Sequence, residues 1–110
     1  MRVYTYMNIS TFSALSDPMR LKIVEALLDG EIQVNDLVER VAIQQSGVSR
    51  HLGILSRAGF VSVRPEGQRR YYSLRAEPFE EIDQWMAQFR ATWEARLDRF
   101  DAALKKRRKK

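Results

Sequence analysis

The sequence predicts a mostly α-helical fold carrying one small β-hairpin, and three stretches of it lead there. Gln44 to Val61 reads QQSGVSRHLGILSRAGFV, in which Val48, Leu52 and Leu55 recur at the spacing of a buried helical stripe. Phe60 to Leu74 reads as two short strands around Arg64-Pro65-Glu66-Gly67. From Pro78 onward Phe79, Ile82, Met86, Phe89, Trp93, Leu97, Phe100 and Leu104 return every three or four residues, with Trp85 beside the stripe, which predicts one long helix to about Lys105.

Taken in order, Met1 to Ser16 is too apolar for a free arm, with Tyr4, Tyr6, Met7, Ile9, Phe12 and Leu15, and a short helix is expected near Ser10 to Ser16. Asp17-Pro18 then starts a helix, because aspartate suits the N-cap and proline the first helical position. It should run to Asp29 and stop at Gly30. Its apolar residues cover more than half the circumference, so it is expected to be sandwiched between neighbours. Glu31 to Val34 suits a brief edge strand. Asn35 is expected to cap a second short helix through Val41, with Leu37, Val38 and Val41 turned inward. Ala42 to Gln45 is the turn into the helix of the first stretch, which Gly59 ends. Two helices joined by a tight turn, the second with a basic outer face, make a helix-turn-helix. In the hairpin that follows, Glu66-Gly67 is expected to turn, and Pro65 confines its strand to an edge or turn. A ribbon with an arginine-rich tip directly after a helix-turn-helix is a wing.

The outer face of the central helix carries Ser46, Arg50, Gly53 and Arg57, with Ser49 on its flank and no acid. Small hydroxyls and guanidinium forks suit a helix that enters a DNA major groove, and a glycine there permits close approach. The net charge of +5 is unevenly spread: −3 over residues 1–39, +6 over 40–75, −4 over 76–104 and +6 over 105–110. A basic middle block between acidic ones predicts one polyanion-facing surface on an acidic body. The length suits one domain, residues 1–104, with 105–110 (KKRRKK) expected to be a disordered basic tail, either idle or a non-specific polyanion contact. With no cysteine and one histidine, disulfides, thiolate metal sites and histidine-based catalysis have almost nothing to work with. No nucleophile–base pair or Gly-rich phosphate loop suggests an enzyme, and no cofactor is expected. No signal peptide or membrane span is seen, so a cytoplasmic protein is the expectation.

With ALSDPMRLKIVEAL, VSRHLGILSRAGFV and EGQRRYYSL in this order, the chain resembles the ArsR-type winged helix-turn-helix repressors from about Phe12 to Leu104. The resemblance implies a homodimer joined through its first and last helices, binding an inverted-repeat operator and repressing transcription. Where metal-sensing members carry paired cysteines at the start of the third helix, this chain has Gln33 and Asn35. The last helix, whose Asp and His complete the other metal site of such members, has Asp83 but no histidine. The chain is thus similar to the branch lacking metal ligands, and metal is expected to play no part. Many relatives carry serine just before the recognition helix; Gln44 stands there in this chain, and Ser46 offers an alternative cap that would shorten the helix.

Double-stranded DNA and a second copy of the chain are therefore the expected partners, with no membrane, and a small-molecule effector of unidentified chemistry left open. The expected DNA-facing residues are Gln45, Ser46, Ser49, Arg50, His51, Arg57, Arg64, Gln68, Arg69 and Arg70. Arg50 is the candidate for a base contact, a phosphate contact being the alternative. His51 falls on the flank nearer the core, where packing or a phosphate contact suits it better than base readout. The small body cannot cover the whole aromatic stripe of the last helix, about residues 78–104. Phe12, Ile82, Trp85, Met86, Phe89, Trp93, Leu97 and Phe100 are therefore expected at the dimer interface. Trp85 and Trp93 lining an aromatic effector pocket is the lesser alternative. A non-specific or architectural nucleic-acid binder is the competing function.

Overall fold

Helix starts follow cap chemistry at the N-terminal end of the chain. The computed structural model describes residues 7–42 and 44–108, so the readings placed on Tyr4, Tyr6, Lys109 and Lys110 lie outside it. Helix α1 spans Ile9–Leu15, and the Asn8 side chain accepts from the Ser10 amide at 3.0 Å. Helix α2 spans Pro18–Ala26, with Asp17 Oδ1 accepting from the amides of Met19 (2.8 Å) and Arg20 (3.1 Å). It tightens into a 3₁₀ turn at Leu27–Asp29 and stops at Gly30, whose φ of 137° a side chain would resist. Ile23, Val24 and Leu27 are buried, but Leu21 and Leu28 are exposed, so within one chain this helix is covered on one side only.

Strand β1 is two residues, Ile32–Gln33, and helix α3 follows at once as Val34–Val41. The expected Asn35 cap is not used. Pairing of Ile32 and Gln33 with Tyr72 and Tyr71 holds Gln33 extended, so the N-cap falls on Gln33 and Asn35 is already inside the helix. Helix α4 spans Gln45–Arg57 with Gln44 as an extended N-cap that makes no side-chain bond, so Ser46 is not the cap. At its end the Gly59 amide donates to Ser56 O (3.0 Å) and the Phe60 amide to Leu55 O (2.9 Å), with Gly59 at φ 81°. These paired bonds close a glycine-terminated helix, and they drive Phe60 into the core, edge-on to Phe79 at 5.3 Å.

Strands β2 (Val61–Glu66) and β3 (Arg69–Leu74) pair antiparallel from Val61↔Leu74 to Glu66↔Arg69. The turn is therefore Gly67-Gln68, one residue later than expected. Gly67 takes the positive φ (61°) that the first central position of such a turn demands. The sheet order β1-β3-β2 puts Pro65 on an edge strand, where its missing N–H costs no ladder bond. Helix α5 runs Glu77–Arg108, 32 residues or about 48 Å. It docks on α1, where Glu81 accepts from the Asn8 amide (3.0 Å) and from Thr11 Oγ1 (3.4 Å). The helix continues four residues into the stretch expected to be a disordered tail. Lysine and arginine are good helix formers, and cations favour a helix C-terminus, so nothing ends α5 at Leu104. The result is a winged helix-turn-helix: α2, α3 and α4 around a core of Ile23, Leu27, Leu37, Val48, Leu52 and Leu55, the hairpin on one side, and α1 and α5 flanking.

Candidate nucleic-acid interface

Helix α4 divides as its spacing predicts. Val48, Leu52 and Leu55 are sealed in the core, while Gln45, Ser46, Ser49, Arg50 and Arg57 are exposed. No described residue bonds or pairs with the Arg50 or Arg57 side chains. Gly53 sits half-buried in the same helix, and a Cβ added there would meet nothing within 4 Å. The fold itself does not ask for glycine at this point. A face of hydroxyls, free guanidiniums and one open backbone position can offer donors to base edges and phosphates at short range.

His51 leaves that face. Its residue is only 6% exposed, and its ring lies against the start of α2. Arg20 Nη1 stands 3.2 Å from Nδ1, and Asp17 Oδ1 is 4.0 Å from Nε2. A guanidinium only donates, so Nδ1 accepts and the ring proton sits on Nε2, facing the carboxylate. The amides of Arg20 and Met19, together with the nearby Arg20 guanidinium, hold the Asp17 carboxyl below its ordinary range, the Arg20 amide contributing most. Arg20 also donates from Nε to Ala14 O (2.6 Å) and from Nη2 to Ser13 O (3.2 Å), tying the end of α1 to α4 through one side chain. His51 is therefore packed between α4 and the start of α2, away from the exposed face.

In the wing, Gln68, Arg69 and Arg70 are exposed at the tip, and no described residue pairs with the two arginines. Arg64 differs. Its guanidinium forks onto Glu31 (2.7 and 3.1 Å), reaches Glu66 (2.9 Å) and lies over the Tyr71 ring at 4.6 Å. Each carboxylate favours the charged guanidinium, and the Arg64 hydrogen bonds in turn hold Glu31 below its ordinary range. Arg64 is thus a rivet between wing and α2–β1 turn, with a bond from each of its three nitrogens already made to a carboxylate. Arg20 and Glu31 went unseen in the sequence because their partners lie about thirty residues away, and no local pattern announces such a pair.

Of the residues expected at a dimer interface, Phe12 stacks edge-on to Trp85 (4.9 Å) and Trp85 on Phe89 (4.8 Å), forming an aromatic ladder between α1 and α5. Ile82 packs against the core of its own chain. Met86 and Phe89 are about two-fifths exposed, and Trp93, Leu97 and Phe100 are 55–63% exposed. Among the described residues no group of three or more His, Cys, Asp or Glu could hold a metal ion, and Asp83 pairs with Arg90 at 3.1 Å. No described helix is long and apolar enough to cross a membrane.

The profile of the bacterial regulatory proteins of the arsR family matches residues 17–63, which run from the Asp17 cap into β2. The transcriptional repressor SdpR of Bacillus subtilis is 36% identical over 80 residues, covering 73% of this chain and 89% of SdpR. A crystal structure of an ArsR family transcriptional regulator matches with a TM-score of 0.71 at 26% identity, over 78% of this chain and 94% of the other. The solution structure of a homodimeric winged helix-turn-helix DNA-binding domain from Mycobacterium bovis matches with a TM-score of 0.62 at 26% identity, over 79% and 80% of the two chains.

Proposed function

The chain belongs to the ArsR family of DNA-binding transcription regulators, and from that premise we propose that it acts as a homodimeric repressor of an inverted-repeat operator. The observation that carries this reading is the open face of α4, free of acid and of internal partners. Gln45, Ser46, Ser49 and Arg50 would read base edges in the major groove, and Arg57 would hold a phosphate. Gln68, Arg69 and Arg70 at the wing tip would follow the adjacent backbone or enter the minor groove. Arg64 sets the wing's pose instead of touching DNA.

The homodimer is supported by α5, which in a single chain leaves Trp93, Leu97 and Phe100 in water. A two-fold axis through that surface would set two α4 helices against half-sites about one helical turn apart. SdpR, the relative that this chain spans almost throughout, is a repressor, and repression by occupying the operator needs no further surface. The absence of thiols, and a single histidine locked between Arg20 and Asp17, argue against a metal as inducer.

Selection of bound fragments from the source genome, followed by competition against scrambled DNA, tests the reading. A palindromic site preferred at least about a thousandfold over scrambled sequence is expected. Equal affinity for both would make the protein a non-specific or architectural binder.

A further inference from the structure

Where the ends of α1 and α4 come together they leave a cleft of about 210 Å³, lined by Ser10, Ser13 and Ala14 from α1 and by Ile54, Arg57 and Ala58 from α4. In each helix the three residues stand at i, i+3 and i+4, so each set shares one face. Ala14 is buried and Ile54 and Ala58 are half-buried, which makes the floor apolar, while the exposed Ser10, Ser13 and Arg57 form the rim. Arg20 fixes the separation of the two helices, since it bonds Ser13 O and Ala14 O at the end of α1 and reaches His51 in α4.

Charge in the cleft is one-sided. Arg57 is the charged residue of the lining, no acid joins it there, and no described residue pairs with its guanidinium. The carbonyls that would give the two helix ends a negative character are already bonded: Ser13 O and Ala14 O by Arg20, Ile54 O by the Ala58 amide, Leu55 O by the Phe60 amide and Ser56 O by the Gly59 amide. The Ser10 hydroxyl donates to Asn8 Oδ1 at 2.8 Å, whereas the Ser13 hydroxyl bonds no described residue and is free to donate.

Resting on the placement of Arg57 against a DNA phosphate, we infer that this cleft binds a small organic carboxylate, and that the ligand weakens operator binding by taking Arg57 from the DNA. A guanidinium presents two parallel N–H donors, which match the two oxygens of a carboxylate. With one cation the cleft suits a monoanion with an apolar body better than a phosphate, whose second charge would go unmatched. The volume lies below the roughly 300–1,000 Å³ of sites for drug-sized ligands, so a molecule of benzoate's size fits. Its carboxylate would meet Arg57 and Ser13, and its ring Ala14, Ile54 and Ala58. No change of fold is required, because ligand and phosphate compete for one guanidinium, and each weakens the other by the same factor.

Benzoate titrated into the full chain at constant ionic strength tests this. Amide resonances of Ser13, Ala14, Arg57 and Ala58 should shift saturably, and benzyl alcohol, the neutral counterpart, should not reproduce the shifts. Saturating benzoate should raise the operator dissociation constant about five- to tenfold and lower the salt dependence by about one counterion. Ser13→Leu fills the cleft from α1 without altering α4, so it should keep operator binding and lose both responses. Arg57→Gln should bind the operator about as weakly as benzoate-saturated wild type and ignore benzoate. No saturable shift, equal shifts with benzyl alcohol, or a full benzoate response in either variant overturns the site, and leaves the operator reading intact wherever a palindrome is still preferred. Saturable binding with unchanged operator affinity overturns the competition for Arg57.

Discussion

Helices α4 and α5 carry apolar stripes of the same helical spacing and put them in opposite places. In α4, Val48, Leu52 and Leu55 are closed off by α2, α3 and β2, and the polar face is left open to solvent. In α5 only the first turns find a surface on their own chain, and from Phe89 onward every described residue is exposed. The spacing says that a face will be buried. What buries it depends on how much facing surface one chain can supply, and a body of three short helices and a hairpin supplies little. A stripe longer than that body is addressed to another molecule.

The largest expected effects separate these two fates. Leu52→Ala should cost about 2–5 kcal/mol of folding stability, by lost transfer energy and a residual cavity. That loss should be independent of protein concentration in denaturant titrations. Trp93→Ala should cost roughly 3–5 kcal/mol if the indole is fully packed between copies, and the cost should appear as dissociation in sedimentation. A Trp93→Ala chain that remains a tight dimer would break the contrast, because its stripe would then not be the surface joining the copies.

A smaller effect lies on the outer face of α4. Arg50→Ala should lose about 1–3 kcal/mol of operator affinity and relax preference at one position per half-site, measured against a panel of substituted operators. An equal loss on operator and scrambled DNA would assign Arg50 to a phosphate. Gly53→Ala sharpens the same face from the other side. Alanine is favoured over glycine inside a helix by roughly 0.5–1 kcal/mol, and a Cβ at residue 53 has open space around it, so the variant should melt higher. Operator binding should nonetheless weaken, because the methyl group stands where DNA approaches. A stabilised variant with undiminished operator affinity would show that the backbone at Gly53 keeps its distance from the groove.

Much of this molecule was legible locally. The Asp17 cap, the Pro18 start, the Gly30 and Gly59 stops and the Val48, Leu52, Leu55 stripe are each decided by residues a turn or two apart, and each stands where the sequence puts it. What escaped was decided at long range. Asn35 is a better cap than Gln33 by composition, but β1 pairs with β3 forty residues on and fixes where α3 begins. His51 lies on the flank of the central helix, which in sequence leaves packing and a phosphate contact equally open, and only the fold shows that Arg20 and Asp17 enclose it from α2. In sequence Arg64 is indistinguishable from the other wing arginines, because nothing near it marks Glu31 as its partner. Local pattern distinguishes inside from outside, but it does not say which outward charge is already taken.

The smallest effect follows from that last point, and it contrasts two arginines of one wing. Arg70 is free to meet a phosphate, whereas the Arg64 guanidinium is held by Glu31 and Glu66. Glu31→Gln removes one of the two charges that hold Arg64 and so makes it available to DNA. Affinity for scrambled DNA should rise by no more than a few-fold, since the pair is solvent-exposed, and the salt dependence should steepen by about one released counterion. The wing should at the same time be less ordered, with faster amide exchange at Arg64 and Tyr71. Acid should reproduce the change in the free protein. The Glu31 carboxyl titrates below its ordinary value of 4.5, chiefly because Arg64 donates to it, so its hold on the wing is complete above that value and fades as pH falls through the lowered one. Wild-type wing exchange should therefore approach that of Glu31→Gln only well below pH 4.5, and the variant should show no such step. An unchanged salt slope in Glu31→Gln, with affinity lost equally on all DNA, would mean that Arg64 serves the wing's shape alone even when released.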